Sequence, residues 1–275
     1  MPRLAVVGYP VSHSRSPAMQ TAALAELGLG RRWSYEAIEV VPERLADLVA
    51  ALPGDDFAGV NVTVPHKLAA LALATEASSA AREIGAANTL SFADGAVVAE
   101  NTDAVGIRAA IGAPVTGKRA LVLGAGGSAR AAVWALREGG AEVSVWNRTE
   151  SRATALAEEL LVAVAEPDPA AFDLLLNATT IGLAQASERP ATSDDLKALP
   201  FDADSIEEEQ LVVDLVYGSY ETALASCARE RGAQMIDGLE VLVHQGAASL
   251  RIWTGLDPPI ETMRRAAREQ DTTNG

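Results

Sequence analysis

Short apolar runs alternate along the chain with longer segments in which apolar residues recur at helical spacing. The first half passes from the strand-like LAVVGY through the helical SPAMQTAALAELG to the strand-like WSYEAIEVV, and then to PERLADLVAAL and AGVNVTV. Strands that alternate with helices predict a parallel sheet covered by helices. In the first helix we expect Ser16 as the N-cap, Pro17 at the first helical position and Gly28 as the stop.

The pattern changes where NTLSF and AVVAE flank the dipeptide Asp94-Gly95. Asp-Gly between two apolar runs is a strong signal for a tight β-hairpin, so two antiparallel strands are expected there. A helix should follow the segment NTD and run to about Gly112, and the turn-rich GAPVTGK then forms a connector.

A second strand and helix series begins with RALVLGAGGSARAAVWALREGGAEVSVWNRT. Its further strands are expected in DLLLNATT, LVVDLVY and AQMID. The acidic, turn-rich segment 187–210 is interpreted as a solvated surface connection. The stretch from Gly238 to Gly255 predicts one long helix, and the terminal EQDTTNG predicts a frayed end.

Composition narrows the class of protein. A chain of 275 residues can form two modest domains or one large α/β domain. Cys227 is the only cysteine, so no intrachain disulfide can form and the cytoplasm is the expected compartment. The formal net charge of −15 argues against a nucleic-acid partner, which requires a basic face. No run is apolar for the ~18 residues of a membrane helix, and the first run is too short for a secretory signal, so no membrane association is expected.

The segment GAGGSA, Gly124 to Ala129, matches the G-x-G-x-x-[G/A] fingerprint of dinucleotide-binding folds. Glycine lets the backbone approach a pyrophosphate, and the following helix offers free N–H groups at its N-terminus. A glycine-rich turn alone is weak evidence. Because the strand, loop, helix and second strand are all present here, a nucleotide site is favoured over a simple tight turn.

The residues after the second strand of this series indicate which cofactor is used. NAD-binding folds carry an acidic residue about twenty positions after the glycine loop. This chain has Asn147-Arg148-Thr149 there, with Arg152 one turn later. Guanidinium groups attract a 2′-phosphate, whereas a carboxylate at ~4 Å would repel it by about 4 kcal/mol, so NADP is preferred over NAD. A solvated helix start is the ordinary alternative, and Glu150 weakens the basic character of the segment.

Polar residues cluster near the predicted ends of strands in the first half, where open parallel sheets bind ligands. Each has an ordinary explanation on its own, such as a helix cap, a turn or a solvated lysine. Together, and beside a cofactor fold, they predict a site for a small polyhydroxylated, anionic molecule; no metal site is predicted. These residues are Ser12, His13, Ser14, Ser16, Asn61, Thr63, Lys67, Asn88 and Asp103.

Eight motifs in order make the chain resemble the shikimate dehydrogenase family over nearly its whole length. They are GYPVSHSRSP, GVNVTVPHK, GAANTL, NTDAVG, LVLGAGGSARAAV, NRTESR, NATTIGL and DGLEVLVHQGAASLRIWTG. The resemblance implies reversible, NADP(H)-dependent reduction of 3-dehydroshikimate to shikimate in the pathway to chorismate and the aromatic amino acids. It also implies a substrate domain at 1–105, on which helices of 239–275 pack back, an NADP-binding Rossmann-like domain at 106–238, and an active site in the cleft between them.

The resemblance also implies a role for each matched residue. Lys67 would be the catalytic acid/base, paired with Asp103. Ser14 and Ser16, helped by Tyr217, would hold the substrate carboxylate. The ring hydroxyls would be bound by Asn61, Thr63, Asn88, Asp103 and Gln245, and the cofactor by Gly124, Ala125, Gly126, Gly127, Ser128, Asn147, Arg148, Thr149, Arg152, Leu215 and Gly238.

Three departures from the family pattern are visible. The sequence Gly-Ser-Tyr-Glu-Thr follows Tyr217 where the family often has a proline-containing turn. Gln20-Thr21 replaces a common His-Asn pair, and Leu250 stands where an aromatic residue is usual. They bear on substrate preference and remove no proposed catalytic group.

Two alternatives stay open beside a biosynthetic shikimate dehydrogenase. One is a quinate/shikimate dehydrogenase or a paralogue with an altered substrate. Members that favour quinate tend to relax the Ser-x-Ser pair, and members that favour NAD carry an acid after the second strand; this chain does neither. The other is a non-catalytic NADP-binding sensor, which would not need the Lys67 and Asp103 that are retained here. A homodimer is one assembly that the sequence leaves open.

Overall fold

The chain divides into two compact α/β units in the computed structural model, which describes residues 1–269. The first unit comprises Met1–Gly106 together with the chain from Leu242 onward, and the second comprises Ile107–Val241. Each unit contains a six-stranded sheet, so the predicted fold class of two α/β units is confirmed. Residues 270–275 lie outside the described residues, and with them most of the predicted frayed end.

The sheet of the first unit is mixed, with the strand order β2-β1-β3-β5-β6-β4. The pairs β1·β2, β1·β3 and β4·β6 are parallel, whereas β5 runs antiparallel to both β3 and β6. Its strands are β1 (Arg3–Gly8), β2 (Ser34–Glu39), β3 (Phe57–Val62), β4 (Glu76–Ala77), β5 (Thr89–Ala93) and β6 (Ala96–Glu100). The parallel sheet predicted from alternation is therefore present in the first three strands, and the hairpin extends it.

The hairpin turn forms at the predicted dipeptide. Asp94 and Gly95 have φ values of 52° and 80°, and the flanking Ala93 and Ala96 are paired. Positive φ at both central residues is what a two-residue type I′ turn requires, which explains the Asp-Gly sequence. The predicted hairpin is confirmed.

The helices of this region begin and end close to the expected residues, with one correction. Arg15 holds the N-cap position of the first helix and Ser16 the first helical position, so the predictions of Ser16 as the N-cap and of Pro17 as the first helical residue are both wrong by one residue. The Ser16 N–H donates to Ser14 Oγ at 3.3 Å, just before the helix. Gly28 follows the helix with φ 71°, as its role as a stop requires. The helices are α1 (Ser16–Glu26), α2 (Leu45–Ala51), α3 (Lys67–Leu73), α4 (Ser79–Ile84) and α5 (Asp103–Ile111).

All strands of the second unit are parallel. They are β7 (Arg119–Leu123), β8 (Glu142–Trp146), β9 (Ala163–Val164), β10 (Leu174–Asn177), β11 (Leu211–Asp214) and β12 (Gln234–Ile236). Their order is β12-β11-β10-β7-β8-β9, the doubly wound order of a Rossmann fold, in which the chain reverses direction across the sheet between β7 and β10. The helices are α6 (Gly127–Glu138), α7 (Glu150–Leu160), α8 (Leu183–Glu188) and α9 (Ala223–Glu230).

The interpretation of 187–210 as a solvated connection is wrong for part of that segment. It contains the 3₁₀ helices Ser193–Ala198 and Ala203–Ser205, and Ile206 is fully buried. Leu199 and Ile206 belong to one apolar cluster with Leu121 of β7. The acidic side chains give the segment its polar composition, while the apolar ones between them close the core of the second unit.

Two helices complete the described chain, α10 (Gly238–Thr254) and α11 (Ile260–Glu269). The first is the predicted long helix, and Gly255 follows it with φ 69°. α11 packs against α1 in the first unit. In residues 1–269 no helix is both long and apolar enough to cross a membrane.

Candidate active site

A lysine and an aspartate form the most strongly charged contact of the candidate site. Lys67 is the first residue of α3 and Asp103 the first residue of α5. Lys67 Nζ donates to Asp103 Oδ2 at 2.5 Å, and each side chain is only 12% exposed. The Coulomb attraction in a pair shielded to this extent is stronger than in a surface ion pair, and it keeps the ammonium in one place.

Asn88 fixes the other oxygen of the same carboxylate. Its Nδ2 donates to Asp103 Oδ1 at 2.8 Å, and its Oδ1 accepts from the Thr102 N–H at 2.6 Å. Because a backbone N–H can only donate, the Asn88 amide has one orientation, with its NH₂ group directed at Asp103. Both carboxylate oxygens of Asp103 are thus held by donors.

Gln245 brings the helix α10 to this group. Its Oε1 accepts from Asn88 Nδ2 at 3.1 Å, and its Nε2 donates to the Leu242 carbonyl at 2.8 Å. Four predicted site residues, Lys67, Asn88, Asp103 and Gln245, are therefore brought together although they are far apart in the sequence.

Asn61 is held by hydrogen bonds to other residues of the first unit. Its Oδ1 accepts from the Tyr35 hydroxyl at 2.8 Å, and its Nδ2 donates to Ser249 Oγ at 2.8 Å and to the Asn88 carbonyl at 3.3 Å. Asn61 is 5% exposed. The predicted contact between Asn61 and a substrate hydroxyl stays a prediction.

A buried triangle of hydroxyls was missed by sequence reasoning. The oxygens of Thr89, Thr102 and Ser249 lie 3.1 Å from one another, and all three residues are at most 2% exposed. These hydroxyls accept hydrogen bonds from the side-chain amides of Asn61 and Asn88. One signal was available for Ser249: it follows Gln245 by four positions, so both lie on one face of α10.

The remaining polar residues of the first unit follow β1 and β3. Ser14 is half-buried and Ser16 is buried, whereas Ser12 and His13 are exposed. Thr63 is half-buried, and its N–H donates to the Val7 carbonyl of β1. The ends of β1 and β3 approach closely because Gly8 has no side chain: a Cβ there would lie 2.4 Å from Thr63 Cγ2.

The glycine loop follows β7 as predicted and fits a dinucleotide. Gly124 has φ 114°, and a Cβ on it would lie 3.0 Å from the Ala178 carbonyl oxygen. A Cβ on Gly126 would meet open space, so a ligand can approach the backbone there. Ala125 lies between them, Gly127 and Ser128 begin the twelve-residue α6, and the first turn of α6 has no acidic residue. The N–H groups at the N-terminus of a helix, with no carboxylate in its first turn, suit a pyrophosphate.

The segment after β8 presents cations at the edge of the same unit. Arg148 and Arg152 are exposed, and neither pairs with a carboxylate within residues 1–269. Asn147 Nδ2 donates to the Thr149 carbonyl at 2.9 Å, and Thr149 is the N-cap of α7. Two available guanidinium groups are the donor set that a 2′-phosphate requires.

The last three predicted site residues also lie in the second unit. Leu215 and Tyr217 are half-buried in the loop after β11. Gly238 begins α10, and a Cβ on it would lie 2.6 Å from the Leu215 carbonyl oxygen, so only glycine lets that loop pack there. Of the predicted substrate residues, Tyr217 alone lies outside the first unit. In residues 1–269 no group of His, Cys, Asp and Glu side chains is placed to hold a metal ion.

A doubly wound dinucleotide fold, joined in one chain to a unit with a buried Lys–Asp pair, defines a nicotinamide-dependent oxidoreductase with separate cofactor and substrate domains. Three family models match. The shikimate dehydrogenase substrate-binding domain matches residues 6–90, shikimate/quinate 5-dehydrogenase matches 108–215, and the shikimate 5′-dehydrogenase C-terminal domain matches 238–268. The chain belongs to the shikimate dehydrogenase family, which confirms the resemblance of its motifs.

Relatives and solved structures agree with this assignment. A shikimate dehydrogenase (NADP(+)) of Thermus thermophilus is 46% identical over 276 residues, 98% of each chain. The crystal structure of shikimate 5-dehydrogenase from another strain of Thermus thermophilus, in complex with NADP(H) and shikimate, is 44% identical, with a TM-score of 0.87 over 98% of this chain and 99% of that one. The 5-ketofructose reductase of a Gluconobacter species shares the fold at 29% identity, with a TM-score of 0.83 over 98% of each chain.

Proposed function

We propose that the protein catalyses the reversible reduction of 3-dehydroshikimate to shikimate with NADPH, as a biosynthetic enzyme of the shikimate pathway. The observation that carries this proposal is the shielded contact between Lys67 and Asp103, with Asn88 on the second carboxylate oxygen. Relatives that match over nearly the full chain carry this activity in their names.

Lys67 acts as the acid/base. In the direction of reduction, negative charge develops on the substrate carbonyl oxygen, and an ammonium beside that oxygen stabilises the charge and then donates a proton. In the reverse direction the neutral amine takes the proton from the hydroxyl. Asp103 keeps Nζ in place during both steps, because its carboxylate is itself held by Asn88.

The other polar residues of the first unit bind and orient the substrate. Ser14 and Ser16, helped by Tyr217, bind its carboxylate. The ring hydroxyls of the substrate are bound by Asn61, Thr63, Asn88, Asp103 and Gln245. Short polar side chains that are already fixed by neighbours lose little entropy on binding a polyol, which supports this assignment.

NADP(H) is the cofactor that the second unit fits. The loop formed by Gly124, Ala125, Gly126, Gly127 and Ser128 binds the pyrophosphate. Asn147, Arg148, Thr149 and Arg152 bind the adenosine 2′-phosphate, while Leu215 and Gly238 line the nicotinamide. When bound, the cofactor supplies or accepts the hydride. The substrate domain then comprises 1–105 with 239–275 and the cofactor domain 106–238, and a cytoplasmic location is consistent with the single cysteine.

The experiment is an absorbance assay of NADPH with the purified chain. Shikimate with NADP⁺ should generate NADPH, and 3-dehydroshikimate with NADPH should consume it. Absence of both reactions would overturn the proposal. Binding of NADPH without turnover of either substrate would instead favour the non-catalytic sensor.

A further inference from the structure

A group of buried hydrogen bonds lies at the carboxyl ends of β10 and β11, beside the residues assigned to the cofactor. Asp214, the last residue of β11, is 1% exposed and is paired in register with Asn177 of β10. Asn177 Nδ2 donates to Asp214 Oδ1 at 2.9 Å, and Thr222 Oγ1 donates to Asp214 Oδ2 at 2.6 Å. Both oxygens of this buried carboxylate are therefore engaged.

The Asp214 carboxylate accepts hydrogen bonds from both ends of the loop 215–222. At the start of the loop the Val216 N–H donates to Oδ1 at 3.1 Å, and at its end the donor is the Thr222 hydroxyl. Thr222 is also the N-cap of α9, since its Oγ1 accepts from the Ala225 N–H at 3.1 Å. One carboxylate thus determines where the loop leaves the sheet and where it enters the next helix.

The middle of the loop packs on α8. A Cβ on Gly218 would lie 2.4 Å from the Ala186 carbonyl oxygen, which accepts from the Tyr220 N–H at 2.8 Å. The glycine at position 218 is thereby explained, because a larger residue there would push the loop away from α8. The loop that carries Leu215 and Tyr217 is held at both ends by Asp214 and in its middle by α8.

No cation compensates the charge of this carboxylate within residues 1–269. Burial raises the pKa of Asp214 to about 6, and the donors Thr222, Val216 and Asn177 oppose that rise. A buried carboxylate without a compensating cation lowers the stability of the fold. The donors that hold it, Thr222, Val216 and Asn177, are neutral. Carboxyl groups in such surroundings concentrate at functional sites.

We propose that Asp214 is a positioning residue of the reaction, which holds the loop 215–222 in the conformation that the assigned roles of Leu215 and Tyr217 require. The inference rests on the proposed function, because that function assigns Leu215 to the nicotinamide and Tyr217 to the substrate. Since Asp214 is buried, it acts through the loop.

The test compares Asp214→Asn with the wild-type chain. The amide has nearly the same size, but the Val216 N–H and the Thr222 hydroxyl donate to different carboxylate oxygens, and in asparagine one of these two positions is an NH₂ group that cannot accept. We expect kcat for shikimate oxidation to fall by ~10- to 100-fold, the effect of a displacement near 1 Å at a reacting centre. The affinity for adenosine 2′,5′-bisphosphate, a probe without the nicotinamide half, should stay unchanged. The matched control is Asp173→Asn, which removes a carboxylate at the opposite end of β10 and should leave both quantities unchanged.

A second pair of variants covers the case in which Asp214→Asn does not fold. Thr222→Ser keeps the hydroxyl and should retain the wild-type kcat, whereas Thr222→Val removes it and should lower kcat without changing the affinity for the bisphosphate. Wild-type kcat in Asp214→Asn or in Thr222→Val would overturn the inference, as would equal losses of kcat and bisphosphate affinity. Failure of the wild-type chain to oxidise shikimate with NADP⁺ would remove the proposed function, and the inference with it.

Discussion

Lys67 Nζ lies 2.5 Å from Asp103 Oδ2, and Asn88 Nδ2 lies 2.8 Å from the other oxygen of that carboxylate. Lys67 is one of only three lysines in the chain, and the other two, Lys118 and Lys197, lie in the second unit. Asp103 holds this ammonium in one position, and Asn88 in turn holds the Asp103 carboxylate. An acid/base group needs such a fixed position before its proton affinity matters.

Replacement of Lys67 by alanine should lower kcat by roughly 10²- to 10⁴-fold, because the developing oxyanion loses its proton donor. Cofactor binding should persist, since Lys67 belongs to the first unit and the glycine loop to the second. Steady-state rates and NADPH titration measure the two effects. Lys197→Ala is the matched control, because the side chain of Lys197 is 79% exposed and pairs with Asp194 at the surface. Near-normal turnover in Lys67→Ala would refute the catalytic role.

Replacement of Arg148 and Arg152 by glutamine should weaken NADP(H) far more than NAD(H). Each charge-assisted bond to the 2′-phosphate contributes about 1.5–3 kcal/mol, so the double variant should lose roughly 100-fold or more in NADP affinity. NAD lacks that phosphate and should be affected little. Arg119→Gln, at the start of β7, controls for the loss of positive charge. Equal losses for both cofactors would contradict the assignment of these arginines.

Replacement of Ser14 by alanine should chiefly raise the Michaelis constant for shikimate, by roughly tenfold or more, because a hydrogen bond to the substrate carboxylate is lost. The same change removes the acceptor of the Ser16 N–H, so the start of α1 loosens as well. Ser34→Ala, at an exposed position of the first unit, is the control. An effect confined to the Michaelis constant for NADP would show that Ser14 is misplaced.

Asp214 should make the stability of the fold depend on pH in a predictable direction. Its pKa rises from an ordinary value of 3.8 to about 6 in the folded state, so the folded protein binds the proton more tightly than the unfolded chain. The stabilising contribution of the protonated form is complete below pH ~4 and is lost as the pH rises through ~6, a change of about 3 kcal/mol.

The measurement is urea unfolding of the wild-type chain and of Asp214→Asn at pH 4 and pH 7. Between these values the wild-type chain should lose stability relative to the variant, which cannot titrate at this position. Contributions of all other groups cancel in this comparison. A constant difference between the two proteins across the pH range would contradict the pKa assigned to Asp214.

Periodicity and turn chemistry were sufficient to predict most elements of the fold. The Asp94-Gly95 hairpin and the helix from Gly238 were found because local sequence determines them. The segment 187–210 was misjudged because its acidic side chains dominate the composition, whereas Leu199 and Ile206 between them are buried. Burial depends on tertiary contacts with β7 and β11, which local composition does not record.

The candidate site was predicted only in part, for a similar reason. Lys67, Asn88, Asp103 and Gln245 were found through motifs, and the structure brings them together. Thr89, Thr102 and Ser249 lie within the quoted motifs, but no role was assigned to their hydroxyls, because a threonine or serine in such a position has an ordinary explanation as part of a strand, turn or helix. Asp214 was hidden within the apolar run LVVDLVY, where an acidic residue that ends a buried strand was the available signal.

The most direct measurement of the proposed function is a set of initial rates with shikimate or quinate, each with NADP⁺ or NAD⁺. We expect the highest kcat/KM for shikimate with NADP⁺, because the Ser14 and Ser16 pair is retained and Arg148 and Arg152 replace the acid of NAD-binding folds. The preference for NADP⁺ over NAD⁺ should be roughly 100-fold. Equal or faster oxidation of quinate, equal use of NAD⁺, or no oxidation of shikimate with NADP⁺ would contradict an NADP-dependent shikimate dehydrogenase.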